Sequence, residues 1–384
     1  MPGSIRIARS PKIQTNVEIG APGMAVVKTV FPATTEAGEA VQNVALPIAP
    51  LWAASGTRGW AGLHTLAGNQ VAIQRGDGVI VRALADGREV VRLNEPLQPF
   101  WREHDGGVQL VAEGGDAHDI YEVRRHALPN LTQGGFTYRS RFPVLAMHEH
   151  ACTYRAGVRL RLVVEGIPGE VRLRVFEGET QRWQYAGLAC AHPPILFSHE
   201  DRVGVIDDNR LVLLDEDGHK PAAVVFSTKR TGPAWRLDAA GGWLVPTLSG
   251  VELVRLGART GQATQLRDAV LAGAGPAHVA VRQDLAVLAR SDRRIECTVW
   301  HDGAFEPRWH AEIPLPPTLA PGLSADHVAI ADDTGRVTVL SLANGSLVRR
   351  IAHGNRLAAV PLVLADRIVV ADMTGGVAAY PLKR

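Results

Sequence analysis

The sequence is poor in several things at once. Three cysteines stand far apart in 384 residues, at 152, 190 and 297, with no Cys-x-x-Cys pair, so neither a disulfide framework nor a structural zinc site is written into the chain. All three are expected to be reduced, buried and inert. Charge of one sign is also missing: 41 Lys and Arg stand against 39 Asp and Glu, a net charge of +2 that implies no whole-molecule attraction to nucleic acid or anionic lipid. No apolar run approaches the ~20 residues of a membrane span, and "MPGSIRIARSPKIQTNVEIG" lacks the apolar core of a signal peptide. A cytoplasmic location without membrane attachment is therefore expected. Helical patterning is scarce, and Asp268 to Gly275 offers at most a turn of helix.

What is present is repetition. "VGVIDDNRLVLLDEDG" from Val203, "WLVPTLSGVELVRLGARTG" from Trp243, "LAVLARSDRRIECTVWHDG" from Leu285, "VAIADDTGRVTVLSLANG" from Val328 and "IVVADMTGGVAAYPLKR" from Ile368 start about 40 residues apart, the period of a four-stranded propeller blade. "VAIQRGDGVIVRALADG" from Val71 and "VQLVAEGGDAHDIYEV" from Val108 share the frame, and "VRLRLVVEGIPGEVRLRVFEG" from Val158 fills the gap. Asp77-Gly78, Ser249-Gly250 and Thr334-Gly335 supply hairpin turns, and a second glycine follows at Gly87, Gly218, Gly261, Gly303 and Gly345. Strands apolar on both faces suit blades stacked on either side. An all-β propeller of four-stranded antiparallel blades follows, with eight blades, or seven if the irregular region 133–187 is partly an insertion.

The expected organisation is an N-terminal extension, 1–55, and one propeller domain, 56–384. The last unit stops after its third strand, so an N-terminal strand should complete it and close the ring. "MAVVKTVF" from Met24 and "VQNVALPIA" from Val41 are the candidates.

The pattern Asp-x-x-Gly-x-Val-x-x-Leu followed by a second Gly, in "ADDTGRVTVLSLANG" and "RGDGVIVRALADG", resembles the repeat of quinoprotein-alcohol-dehydrogenase-like (PQQ-like) propellers, most clearly from Val203 onward. WD repeats match less well, since no unit ends in Trp-Asp. Enzymes of the resembled family use adjacent cysteines against a quinone and a calcium ion. Adjacent cysteines and an export signal are not seen here, and tryptophan docking motifs are expected to be missing, so neither quinone chemistry nor any other cofactor is expected.

Side-chain patterns offer three candidate sites. His148, His150 and Cys152 alternate in "AMHEHACTYR", which puts them on one face of a strand at a spacing that suits a soft metal ion. A surface pair of histidines with a buried cysteine explains the same spacing. Between Tyr121 and Arg182 ten arginines outnumber six acids, and Arg159, Arg161, Arg172 and Arg174 give a hairpin one cationic and one apolar face, fit to grip an acidic protein partner. Aromatic interleaving for base stacking is thin, which argues against nucleic acid. The acid pairs Asp207-Asp208 and Asp332-Asp333 recur at a turn position and read as backbone caps. Eight tryptophans are assigned mainly to packing between blades.

The function these features favour is a non-catalytic platform that binds a protein partner in a bacterial multiprotein system, of the kind that joins a propeller to an AAA-type ATPase and a von Willebrand A-like protein. The alternative is a propeller lyase or hydrolase with His148, His150, His192 and His199 at the channel mouth.

Overall fold

A computed structural model describes residues 48–382 apart from 60, 67, 95–125, 127–129, 131, 133–137, 153–156, 220–221 and 256–276, together with the backbone of strands within those gaps and within 2–45. The described strands form eight four-stranded antiparallel sheets. Seven are continuous in sequence: sheet 1 (61–93), sheet 2 (97–140), sheet 3 (144–188), sheet 4 (195–225), sheet 5 (235–266), sheet 6 (277–312) and sheet 7 (322–352). Sheet 8 takes three strands from the end of the chain and its fourth, Trp52–Ala54, from before sheet 1. One 3₁₀ turn, Asp238–Ala240, is the helical element among the described residues. The segment Asp268 to Gly275 lies outside them.

Burial follows from the ring. Middle strands such as Gln70–Arg75, Gly242–Thr247 and Leu285–Arg290 are buried on both faces, because each sheet is covered by its neighbours. Each large apolar cluster draws on two consecutive sheets: Leu162, Val164 and Val175 of sheet 3 meet Val203 and Val212 of sheet 4, and Ile295 and Cys297 of sheet 6 meet Ile330 and Leu340 of sheet 7. The core is therefore a set of seams between sheets. This is the β-propeller that the repeat predicts.

Closure by an N-terminal strand holds, but the strand is not either expected one. Val27–Phe31 pairs with Thr15–Ile19 and Gly38–Ala45 with Pro2–Arg9, each pair a separate two-stranded sheet. The closing strand is Trp52–Ala54, in register with Val377–Ala379. Leu51 N–H donates to the Ala379 carbonyl (2.7 Å) and Arg75, 2% exposed, donates to the Gly375 carbonyl (3.0 Å). Arg367 donates to the Leu84 carbonyl, a further tie between the two ends of the chain. The stretch 133–187 holds the end of sheet 2 and nearly all of sheet 3, whose strands of nine, eight and nine residues account for its departure from the common spacing.

Three seams carry the same staple. Trp52, Trp183 and Trp309 stand on the fourth strands of sheets 8, 3 and 6, and their indole N–H groups donate to the carbonyls of Leu84, Glu216 and Leu342 in the next sheet, 32 or 33 residues further along (2.8–2.9 Å). Under each indole lies a glycine, Gly87, Gly218 or Gly345, with φ of +72°, +78° and +72°. A Cβ there would sit 2.5–2.6 Å from the indole. Glycine thus serves the turn and the contact together. Tryptophan docking, expected to be missing, is present.

Candidate functional site

Alternation of strands puts the turn between second and third strands and the connection to the next sheet at the same end of the ring. Aspartates organise that end. Asp207 Oδ1 accepts from the Asn209 and Arg210 amides (2.7 and 2.8 Å). Asp332 Oδ1 accepts from the Thr334 and Arg336 amides (2.9 and 3.0 Å) and Asp372 Oδ1 from those of Thr374 and Gly376 (2.8 and 2.9 Å). These are the turn caps read from the recurrence of the acids.

Two of the turns reach on into the connections. Asp208 bonds His192 Nδ1 (3.0 Å) and faces the buried Arg230 guanidinium (3.3 Å), which also donates to the Pro193 and Gly232 carbonyls (2.9 and 3.1 Å). Asp372 Oδ2 bonds His353 Nε2 (2.7 Å), whose Nδ1 meets the Tyr380 hydroxyl (2.9 Å). Burial alone would raise the Asp372 carboxyl, but hydrogen bonds from Thr374, His353 and Gly376 bring it down to about 2. Beside the first latch, burial and then Asp207 push the Cys190 thiol up to about 12, and burial takes Cys297 to about 11. Both are protonated and poor nucleophiles at neutral pH.

The cationic face of the hairpin is real, and it is partly covered. Register places Arg161 opposite Phe176, Val163 opposite Arg174 and Glu165 opposite Arg172, so all four arginines share a face with Glu165. That face turns toward sheet 2, whose Tyr138 and Ser140 hydroxyls donate to Glu165 (2.8 and 2.6 Å). Arg174 completes the group at 2.9 Å and Arg172 stands at 3.4 Å. Glu165 is fully buried; burial pushes its pKa up, but the hydrogen bonds from Ser140, Tyr138 and Arg174 outweigh it and hold the carboxyl below the ordinary value. Arg172 lies over the Phe142 ring and Arg174 over that of Phe176. Arg159, with 59% of its side chain exposed near Glu149, is more open to solvent than Arg172 and Arg174, which keep 34% and 26%. The other three have intramolecular work, because in a ring both faces of an inner hairpin pack.

His148, His150 and Cys152 do share a face, toward sheet 4, but they do not converge on one point. Ser198 Oγ sits between His148 Nε2 (2.8 Å) and His150 Nδ1 (3.0 Å), while His150 Nε2 meets Glu216 (3.2 Å). Cys152 packs into the apolar seam instead. Among the described residues no three His, Cys, Asp or Glu side chains are grouped to hold a metal ion. Nor do the four histidines meet: His192 belongs to the Asp208 latch, and His199 follows Ser198 on the strand and so points to its other face.

One open cleft was not foreseen. On sheet 6 the strands Arg294–His301 and Ala304–Glu312 break register between Cys297 and Thr298, which pair with Trp309 and Pro307 and leave Arg308 as the extra residue of a bulge. Around it lies a cleft of about 500 Å³, lined by Arg294, Glu296, Thr298, Pro307, Arg308 and His310, while the side chains of Cys297 and Trp309 point away from that face into the seam with sheet 7. Pro307, unable to donate to a ladder, is the sequence sign of the bulge.

By sequence, no family profile and no curated protein matches the chain. By structure it is similar to Chaetomium thermophilum Sqt1 bound to the N-terminus of the ribosomal protein L10, with 11% identity, TM-score 0.58, and coverage of 86% of this chain and 99% of that one. It is also similar to the C-terminal WD40 domain of Sif2 (10%, 0.58, 86% and 98%) and to BamB from Moraxella catarrhalis (14%, 0.51, 86% and 97%). Such likeness speaks for the fold.

Proposed function

We propose that the protein is a non-catalytic propeller platform that binds a protein partner. The observation that carries this reading is the build of one end of the ring, where turns and connections are held by buried carboxylates and arginine rather than left to adapt. Loops fixed before binding lose little freedom on contact, which suits assembly. The Sqt1 structure, a propeller holding a segment of another protein, supports the reading. The setting we favour is the cytoplasm of a bacterium, alongside an AAA-type ATPase and a von Willebrand A-like protein.

The test is recovery of the tagged full chain from its host at mild salt with mass spectrometry of what accompanies it. A stoichiometric protein, retained on a second column, is the expected result. Recovery of the chain alone, under conditions that keep known complexes of the host intact, would overturn the reading.

A further inference from the structure

We infer that the sheet 6 cleft is a docking site for a short acidic peptide segment. The inference rests on the platform reading and adds where and what the platform binds. Its first support is charge. Glu296 is already held by Arg290 through two N–H bonds (3.1 and 2.9 Å), while Arg294 stands 3.6 Å away, too far to be saturated by it. The side chains of Arg308 and His310 make no hydrogen bond or ion pair with another described residue. Glu312 lies opposite Arg294 in the ladder, so three guanidiniums face two carboxylates and an imidazole adds to the positive side. The local surplus is cationic on a chain whose overall charge is close to balanced.

The second support is shape. A bulge turns Arg308 out of the ladder and widens the strand pair at that point, in a place where a plain sheet would offer a flat face. The volume falls within the range of about 300–1,000 Å³ typical of ligand sites. The third is position. Ala304–Glu312 is the outer strand of its sheet, so the cleft lies toward the rim. Guanidinium groups recognise carboxylates with paired N–H donors, which suits Arg294 and Arg308 to an acidic segment, while Cys297 and Trp309 point to the other face, into the seam with sheet 7.

The probe is the fluorescein-labelled octapeptide GELEELEG, titrated into the full chain and followed by fluorescence polarisation, with GKLKKLKG as its counterpart. Binding of the acidic peptide alone is expected, weakened about tenfold or more in Arg294→Ser/Arg308→Ser, since each lost charge-assisted bond is worth that order. Arg236→Ser, which removes an exposed arginine of sheet 5, should leave binding intact. Melting temperatures equal to the parent establish that the variants fold, and Arg308→Glu serves if the double variant does not. Undiminished binding in the variants, equal binding of both peptides, no binding at all, or binding of free citrate without the peptide would each overturn the inference. Should the double variant still recover the host partner, the cleft fails and the platform stands. If the peptide binds and no host partner is found, the reverse holds.

Discussion

Single glycines in this ring answer to two different demands, and substitution separates them. Gly218 and Gly303 both have positive φ, +78° and +89°, but a Cβ at Gly218 meets the Trp183 ring at 2.5 Å and one at Gly303 meets nothing within 4 Å. Gly303→Ala should cost only the backbone strain, about 1–2 kcal/mol. Gly218→Ala should cost that and about 1–3 kcal/mol more for overpacking. Thermal unfolding of the two variants side by side reads the difference; equal losses would mean the indole is not seated as described. Glu165 makes a second case. Its lowered pKa and that of Asp372 mean that each contributes stability in full above its unfolded value and loses it as pH falls through the folded one. For Asp372 this window runs from 3.8 down to about 2. The parent should lose melting temperature across it, and Asp372→Asn should show a flatter profile over the same range. The acid pairs were legible as caps because their role is local to the turn. The fate of the arginines was not, because alternation reveals a face and not what covers it.

At the scale of the strand, the hairpins and their period could be read directly, since each depends on residues a few positions apart. The tryptophan staples escaped because indole and acceptor are 32 or 33 residues apart and lie in different repeats. A near-constant separation of 35 or 36 residues, from tryptophan to the second glycine of the following unit, is nevertheless a signal that sequence can carry. Trp309→Phe should cost about 1 kcal/mol, the value of the lost hydrogen bond. Trp309→Ala should cost about 3–5 kcal/mol through the cavity, and denaturation midpoints distinguish the two. Identical losses would show that the ring contributes no packing. The closing strand escaped for a different reason: three residues, Trp52–Ala54, carry too little pattern to outbid longer β-branched runs upstream. The sheet 6 cleft follows from a one-residue bulge, for which Pro307 is the single sign in the sequence.

For the whole molecule, closure joins residues at opposite ends of the chain, and it should dominate truncation behaviour. Removing residues 1–47 leaves Trp52–Ala54 in place and should alter the melting temperature far less than removing 1–55, which strips sheet 8 of its fourth strand and sheet 1 of its staple. Equal effects would place the closure elsewhere. The staple at this seam also bears on how the ring is made. Trp52 docks on Gly87 and Leu84 of sheet 1, its near neighbours in the chain, although its strand belongs to sheet 8. Local contacts form early and distant pairings late, because a long loop must be closed before it is rewarded. Trp52–Ala54 is thereby tied to sheet 1 by contacts close in sequence and presents Val377–Ala379 with an edge already held in place.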